Sequence, residues 1–451
     1  MFLKSSTVAG AGVALGLDTA FLGTAQGANE KVRLGMIGVG NRGTQLLDAC
    51  LKQNDVEIVA LCDVYDPYLT RNYADVEQRV RDAAGDRIPR MGEKFGPKVA
   101  RYKDFRQVLD RKDIDAVVIA TPDHWHAVQT IQACKAGKDV YVEKPLTVTI
   151  VEGRKMVEAA KKYDRIVQVG LHRRSSPQYS QLGELVQDGK IGKVTLARAY
   201  RVSNMDPHGI GKCPPSQPPK SLDWDMWLGP RAMRPYQDNI TPYKFRWWQS
   251  YSSQVGNWGV HYFDAIRWVL GQKAPVSVSA YGGKYVIDDD RTIPDTLEVT
   301  FEMPGGQLLV FGQYEASGIS PLENGEIEFR GTLGNLISRT SANGYDIIPS
   351  DRGQFQPRVA RIEAEQRPRE SGNATMTEDH IRNFIDCVKS RQQPRCDLET
   401  GHRSTSFAHL ANISLATKSR IDWDPNTERI TNNEKANELL HYQYRKPWTL
   451  G

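Results

Sequence analysis

The first residues whose types and spacing could do chemistry form a glycine-rich turn, Gly38-Val39-Gly40-Asn41-Arg42-Gly43. An apolar run over 32–37 precedes it and a helical pattern to about residue 52 follows, which is the setting in which G-x-G-x-x-G binds a dinucleotide. Gly38 permits the tight turn, Gly40 lets backbone N–H groups approach a pyrophosphate, and Gly43 lets helix and strand pack closely. The phosphates would lie at the positive end of the helix dipole.

An acidic residue follows the second apolar run of the chain. Residues 56–62 are typical of a strand, and Asp63 ends it twenty residues after Gly43. A carboxylate there accepts hydrogen bonds from the adenosine ribose hydroxyls and repels a 2′-phosphate. Asp63 therefore predicts NAD rather than NADP as the cofactor. A helix-capping or turn aspartate is the alternative interpretation of this residue alone.

Two further apolar runs end in polar residues. The run over 115–121 continues into Thr121-Pro122-Asp123-His124-Trp125-His126, and the run over 139–142 ends in Glu143-Lys144-Pro145. Ligands of an open α/β sheet bind beyond the carboxyl ends of its strands, so both segments should face the cofactor crevice. His124 and His126 have no third ligand in their neighbourhood and do not predict a metal site. We expect them at a helix start with a cofactor contact, or in a purely structural role.

The elements that must position these residues follow two patterns. Strands alternating with helices over 28–171 predict an α/β fold that begins with a Rossmann-type parallel-sheet domain, whose last strand lies near 165–170. A second α/β domain over 172–400 should hold an open, mainly antiparallel sheet, because apolar runs separated by glycine turns occur at 276–286, 296–303, 307–314 and 327–330. We interpret 401–451 as a C-terminal helix and tail that pack back on the body.

Length and composition exclude several classes of protein. The chain has 451 residues, 39% of them hydrophobic, which argues against a disordered chain, a collagen-like fibre and a multi-span membrane protein. A net charge of +5 is too dilute to predict nucleic-acid binding, and we find no basic cluster with interleaved aromatic residues. The six cysteines show no CxxC pairing and indicate neither a zinc site nor a disulfide scaffold.

The N-terminal residues 1–27 are typical of an export signal. Lys4 precedes a Gly/Ala-rich apolar stretch over 8–21, and Asp18 interrupts that stretch, so we expect no stable membrane span. The first four residues resemble the end of a twin-arginine export motif whose arginine pair is missing from the given start. Twin-arginine export carries a folded protein across the membrane with its cofactor loaded, which predicts a periplasmic or otherwise exported protein. A disordered N-terminal extension is the alternative.

Together these motifs resemble the glucose–fructose oxidoreductase/inositol dehydrogenase (Gfo/Idh/MocA) family. The glycine turn, the segment 120–126 and Glu143-Lys144-Pro145 carry the resemblance, and the segments 259–264 and 401–413 agree with it. The resemblance implies a nucleotide-binding domain followed by an α/β domain whose open sheet roofs the substrate site and commonly mediates oligomerisation. A homo-oligomer and a carbohydrate or polyol substrate are therefore expected.

The resemblance also implies roles for individual residues. Lys144 would contact the reacting hydroxyl and the nicotinamide ribose, and His261 matches the catalytic histidine, the general base that takes the hydroxyl proton as hydride leaves its carbon. Lys144 would stabilise the developing alkoxide. The residues expected to contact the cofactor are Gly38, Gly40, Asn41, Arg42, Gly43, Asp63, Thr121, Pro122, Asp123, His126, Glu143 and Lys144.

One position departs from the family pattern. Many of its dehydrogenases carry an aspartate four residues before the histidine, where this chain has Asn257. Asparagine can orient an imidazole but cannot stabilise an imidazolium by charge. Asn257, His261, Asp264 and Trp268 have spacings that a helix would place on one face. The residues expected to contact the substrate are Lys144, His172, Arg174, Trp247, Trp248, Asn257 and His261, with a core role as the alternative for the two tryptophans.

The sequence thus predicts an exported NAD(P)-dependent oxidoreductase that transfers hydride at a secondary carbinol of a sugar or polyol. A first alternative is a glycosidase with tightly bound NAD that oxidises its sugar transiently, eliminates the aglycone and re-reduces the product. A second alternative is a non-catalytic carbohydrate-binding protein that keeps the fold.

Overall fold

The computed structural model describes most of the chain after residue 30. The described residues are 31–96, 98–322, 325–339, 344–351, 353–355, 357–368 and 375–451. The predicted export segment, residues 1–27, lies outside them. Within this part of the chain, no helix combines the length and apolar character needed to cross a membrane.

The first sheet has six parallel strands in the order β3-β2-β1-β4-β5-β6. The strands are β1 Val32–Ile37, β2 Val56–Cys62, β3 Ala100–Tyr102, β4 Ala116–Ile119, β5 Asp139–Val142 and β6 Val167–Val169. All four residues of β4 are buried, as expected for a parallel strand covered on both faces. The helices of this region are α1 Asn41–Leu51, α2 Asp66–Thr70, α3 Gln78–Ala84, α4 Phe105–Asp110, α5 His126–Lys135 and α6 Ile150–Lys162.

The second sheet has ten strands in the order β14-β13-β12-β11-β7-β10-β9-β8-β15-β16. Its strands are β7 Val194–Val202, β8 Ser277–Gly283, β9 Thr296–Glu302, β10 Leu308–Tyr314, β11 Gly325–Gly331, β12 Gly334–Arg339, β13 Gly344–Pro349, β14 Glu365–Pro368, β15 Ile421–Asp424 and β16 Arg429–Ile430. β7 pairs in parallel with β10, whereas β9, for example, is antiparallel to both of its neighbours. The predicted fold class, a parallel sheet followed by an open and mainly antiparallel one, is confirmed.

The second half of the chain contains further helices, and one of them packs against the first sheet. They are α7 Pro177–Gln187, α8 Trp224–Leu228, α9 Val260–Val269, α10 Met376–Ser390 and α11 Leu398–Thr417. Helix α10 lies against the first sheet, where Arg382 and Lys389 form ion pairs with Asp55 at 2.7 and 2.5 Å. The C-terminal tail reaches the same half of the molecule, because the ring of Trp448 lies 4.7 Å from that of Trp125.

Helix α9 is fixed by an aromatic cluster under the second sheet. The ring of Phe263 lies 5.1 Å from Phe301 of β9, 5.3 Å from Phe311 of β10 and 5.7 Å from Phe407 of α11. All four rings are fully buried. Burial of such rings is among the largest sources of stability in a core. The helix that carries His261 is therefore held rigidly against both the sheet and α11.

Candidate active site

One cavity of about 760 Å³ extends from the glycine turn to α9. Its volume falls in the range of pockets that hold cofactors and small ligands. Most of the predicted site residues line it together: Gly38, Gly40, Asn41, Arg42, Asp63, Thr121, Pro122, Asp123, Glu143, Lys144, His172, Asn257 and His261.

The glycine turn is shaped as a cradle that side chains would fill. Gly38 has φ +83°, and a Cβ on it would lie 2.8 Å from the carbonyl carbon of Ala120. A Cβ on Gly43 would lie 2.0 Å from the carbonyl oxygen of Gly38, so only glycine lets α1 pack this closely on β1. Among the described residues, no side chain caps the N-terminus of α1 at Gly40. Its first N–H groups are therefore available to a pyrophosphate, and the residues present fit a dinucleotide.

Asp63 joins the end of β2 to this turn. Its carboxylate accepts hydrogen bonds from the backbone N–H groups of Val39, at 2.9 Å, and Tyr65, at 3.0 Å. Burial raises the pKa of Asp63 to about 6. A carboxylate has about four acceptor sites, so these bonds do not use all of its capacity to accept from ribose hydroxyls.

Glu143 and Arg42 connect the turn to the lysine. The Arg42 guanidinium lies 2.8 Å from the Glu143 carboxylate, which also accepts the backbone N–H of Lys144 at 3.0 Å. Burial opposes ionisation of this carboxyl, yet the charges of Arg42 and Lys144 hold the pKa of Glu143 below its ordinary value. The peptide bond from Lys144 to Pro145 is cis.

Lys144 is held by an interruption in the helix that carries the histidine. Residues 255–259 form a π-helical turn directly before α9, and the Lys144 Nζ donates to both the backbone oxygen of Asn257, at 2.8 Å, and its side-chain oxygen, at 2.9 Å. Such π turns recur at functional sites. Burial lowers the pKa of Lys144 to about 8.

This turn changes two expectations from the sequence. Because Asn257 lies in the π turn, its spacing of four from His261 does not correspond to one turn of a regular α-helix. Asn257 binds Lys144 and donates to Gln254 at 3.1 Å, and no side-chain hydrogen bond joins it to His261 in the described part of the chain. The asparagine thus orients the ammonium group, and not the imidazole that its position in the sequence would also allow it to orient.

His261 and His172 face each other with ring centroids 5.1 Å apart. Burial, together with the positive charges of Lys144 and Arg173, lowers the pKa of His261 well below its ordinary value. His261 Nδ1 is buried without a hydrogen-bond partner among the described residues. A neutral imidazole in this position can accept a proton.

Several predicted residues do not line the cavity. Arg174 lies 2.8 Å from Asp264 and over the ring of Trp268, so its positive charge is paired with a carboxylate inside the core. Trp247 donates its Nε1–H to Glu315, and Trp248 donates to the backbone oxygen of Asn239, as expected for core tryptophans.

His126 and Gly43 are not among the residues that line the cavity, but both shape the backbone around it. The two ring nitrogens of His126 each lie 2.9 Å from a backbone oxygen, those of Pro145 and Thr121, so the imidazole fixes the lysine loop. His124 is close to the backbone oxygen of Trp227, and burial lowers its pKa to about 3. In the described ranges, no group of three or more His, Cys, Asp or Glu residues could hold a metal ion.

Sequence reasoning missed other residues that line the cavity, namely Arg87, Arg173, Arg201, Tyr243, Arg246 and Trp258. Arg173 is the neighbour of the predicted Arg174, and Arg246 precedes the predicted Trp247. The choice between adjacent residues depends on local backbone direction, which no spacing rule revealed in these irregular segments.

The segment 219–228, which ends in α8 and is called the cover below, lines the end of the cavity beside Asp63. Leu222 forms an isolated β-bridge with Tyr65, and the backbone N–H of Asp223 donates to Val64 at 2.9 Å. Leu222 and Trp227 of this segment line the same cavity as Asp63. The cover is therefore attached directly beside the predicted ribose site.

A parallel sheet with a glycine cradle, combined with a buried lysine and histidine, defines a dinucleotide-dependent oxidoreductase fold. The family model described as "Oxidoreductase family, NAD-binding Rossmann fold" matches residues 32–171, and its companion for the C-terminal alpha/beta domain matches 184–315 and 369–450. Together they span well over half of the chain. The protein belongs to the Gfo/Idh/MocA oxidoreductase family.

Individual proteins resemble it over different lengths. A Thermotoga maritima myo-inositol 2-dehydrogenase is 24% identical over 86% of this chain and 98% of its own. A glycosyl hydrolase family 109 protein of Saccharopolyspora erythraea is 34% identical over 44% of each chain. Among solved structures, levoglucosan dehydrogenase in complex with NADH and levoglucosan has a TM-score of 0.62 at 16% identity, covering 87% of this chain and 99% of that one. At that identity the likeness shows the fold.

The cradle can be tested by filling it. We expect Gly43→Ala to weaken NAD binding and to lower the free energy of unfolding by about 2 kcal/mol, because the new methyl group would overlap the Gly38 carbonyl. NAD titration and urea unfolding measure both effects. Gly96→Ala is the matched control, since its Cβ would meet no atom within 4 Å. Unchanged NAD affinity in Gly43→Ala would contradict the assignment of the cradle.

Proposed function

We propose that this protein is an NAD-dependent oxidoreductase that removes hydride from a secondary carbinol of a sugar or polyol. The observation that carries the proposal is that Lys144 and His261 line the same cavity, which begins at the glycine turn. Asp63 favours NAD over NADP because its carboxylate would repel a 2′-phosphate.

Each side chain has a distinct task in this proposal. Bound NAD would supply the hydride acceptor. Lys144, oriented by Asn257, would hold the substrate oxygen and stabilise negative charge that develops on it. Neutral His261 would take the hydroxyl proton, so that the carbinol loses one hydride and one proton and becomes a carbonyl group. Arg42 and Glu143 would keep the lysine beside the cofactor cradle.

A second candidate function is NAD-dependent glycoside cleavage by oxidation, elimination and re-reduction. The cover attached beside Asp63 favours it, because additional contacts to a bound cofactor suit a cycle that regenerates the cofactor in place. Similarity to glycosyl hydrolase family 109 proteins also supports it. A non-catalytic carbohydrate-binding protein is the weakest alternative, because it gives no reason for burying Lys144 and His261 together.

Export and self-association complete the proposal. The N-terminal residues 1–27 support an exported, periplasmic protein, and cell fractionation that found it only in the cytoplasm would contradict this.

The open second sheet supports a homo-oligomer. Light scattering on the purified protein tests that, and a monomer at all concentrations would refute it.

The two enzymatic functions differ in their dependence on added NAD. We expect purified protein to reduce NAD with a sugar or polyol, at a rate that requires added cofactor, if it is an open dehydrogenase. Denaturing the protein and assaying the released NAD shows how much remained bound. Release of aglycone from aryl glycosides without net NADH would establish the glycosidase instead. No reaction with either set, together with no NAD binding, would leave the non-catalytic alternative.

The pKa shifts of the buried Lys144 and His261 predict an asymmetric pH profile. With saturating NAD, kcat should not fall as pH drops through 6.5, because the pKa of His261 is held well below its ordinary value, and it should fall as pH rises through about 8, because the Lys144 ammonium loses its proton. Lys144→Arg should slow turnover and remove the alkaline fall, since arginine stays charged. Lys144→Ala and His261→Ala should each lower turnover by about 100-fold or more. An acid limb with a midpoint near pH 6.5 would show that His261 titrates normally.

A further inference from the structure

A stacked arginine lies on the substrate side of the cavity. The guanidinium carbon of Arg201, near the end of β7, lies 3.8 Å from the ring centroid of Trp258, and both residues line the cavity. Trp258 is close to His261, with ring centroids 6.4 Å apart. Stacking on an aromatic face fixes the plane of a guanidinium and leaves the N–H groups at its edge free to donate.

The charge of Arg201 is not balanced by a carboxylate in the described part of the chain. Glu326 is the acidic residue of β11 that lines the same cavity, and its oxygens are used by Arg173 and by the hydroxyl of Tyr179. Glu143 is paired with Arg42, as described above. The side chain of Arg201 forms no ion pair or hydrogen bond with the residues that the structure describes, although it borders the site.

The surrounding charges make a neutral ligand a poor match for this arginine. Lys144, Arg173 and Arg246 line the same cavity, and Arg246 has only a backbone oxygen, that of Tyr243 at 2.9 Å, as its hydrogen-bond acceptor in the described ranges. Cationic walls of low dielectric attract anions and strengthen their binding. An anionic group on the substrate would satisfy the free donors of Arg201.

We propose that the substrate is a sugar acid, such as a uronic acid or its glycoside, whose carboxylate binds the edge of Arg201 while its carbinol lies between Lys144 and His261. This rests on the proposed function and adds the substrate class. A carboxylate is planar and matches the two parallel N–H donors of a guanidinium held flat by Trp258. A sugar phosphate shares the charge and is the alternative source that the experiment distinguishes.

The test compares matched sugars on the wild-type holoenzyme. D-glucuronate is paired with D-glucose and D-galacturonate with D-galactose, their 4-nitrophenyl glycosides are included, and glucose 6-phosphate is the phosphate arm. Reduced nicotinamide and released 4-nitrophenol report turnover, and titration calorimetry reports binding without it. We expect the acids to be preferred over the neutral sugars by about 100-fold, since hydrogen bonds to charged groups carry this discrimination.

Substitution of the arginine should abolish that preference. Arg201→Gln should lose about 100-fold in affinity or kcat/KM for the acid and change little for the neutral sugar. Arg201→Lys should recover only part of the loss, because lysine keeps the charge without the planar fork. Arg198→Gln is the matched control, because Arg198 lies three residues earlier on the opposite face of β7, where it pairs with Glu328.

Different failures have different meanings. Turnover of neutral sugars with no acid preference, or equal effects of Arg201→Gln on both classes, would overturn the sugar-acid proposal while the oxidoreductase stands. Tighter binding of glucose 6-phosphate than of either uronate would also overturn it, in favour of a phosphate. If no sugar reacts, the proposed function fails, and calorimetric binding of the uronates, lost in Arg201→Gln, still decides the ligand class.

Discussion

The bond between the Lys144 ammonium and Asn257 is the interaction on which the site depends. Lys144 follows β5 of the first sheet, and Asn257 belongs to the turn that opens α9 under the second sheet. The Lys144 ammonium donates to two oxygen atoms of Asn257. It therefore joins the two halves at the place where hydride would move. From the lysine, Glu143 and Arg42 extend the connection to the glycine turn.

Burial removes solvation from these charged groups, and it also strengthens their electrostatic interactions within the site. Burial lowers the pKa of Lys144 to about 8, which leaves it mostly protonated at neutral pH but poorly solvated. A poorly solvated ammonium interacts strongly with any negative charge that develops nearby. The same positive charges help to keep His261 neutral, so the cavity holds an acid-like group and a base side by side without requiring a carboxylate next to the imidazole.

Sequence reasoning succeeded where local rules act and failed where tertiary packing decides. The predicted apolar segments 32–37, 56–62 and 139–142 coincide with β1, β2 and β5, whereas the three-residue edge strand β3 has no such segment. The π turn at Asn257 was not predictable from spacing, because the backbone oxygen of Asn257 accepts a hydrogen bond from Lys144, 113 residues away. Likewise, Arg173 and Arg174 have the same type and neighbouring positions, and only the placement of Glu326 and Asp264 sends them to different partners.

Oxidation alone does not distinguish a dehydrogenase from a glycosidase on this scaffold. Both functions begin by taking one hydride and one proton from a carbinol, and Lys144 and His261 suit that step equally. What separates them is the fate of the reduced cofactor, which must leave in one case and remain in the other. Retention of the cofactor would depend on contacts far from the reacting carbon, and the cover that the bridge between Leu222 and Tyr65 attaches beside Asp63 lies where such contacts would form. Under both proposed functions, hydride and proton transfer would take place at the Lys144 end of the cavity, and retention of the cofactor would depend on the Asp63 end.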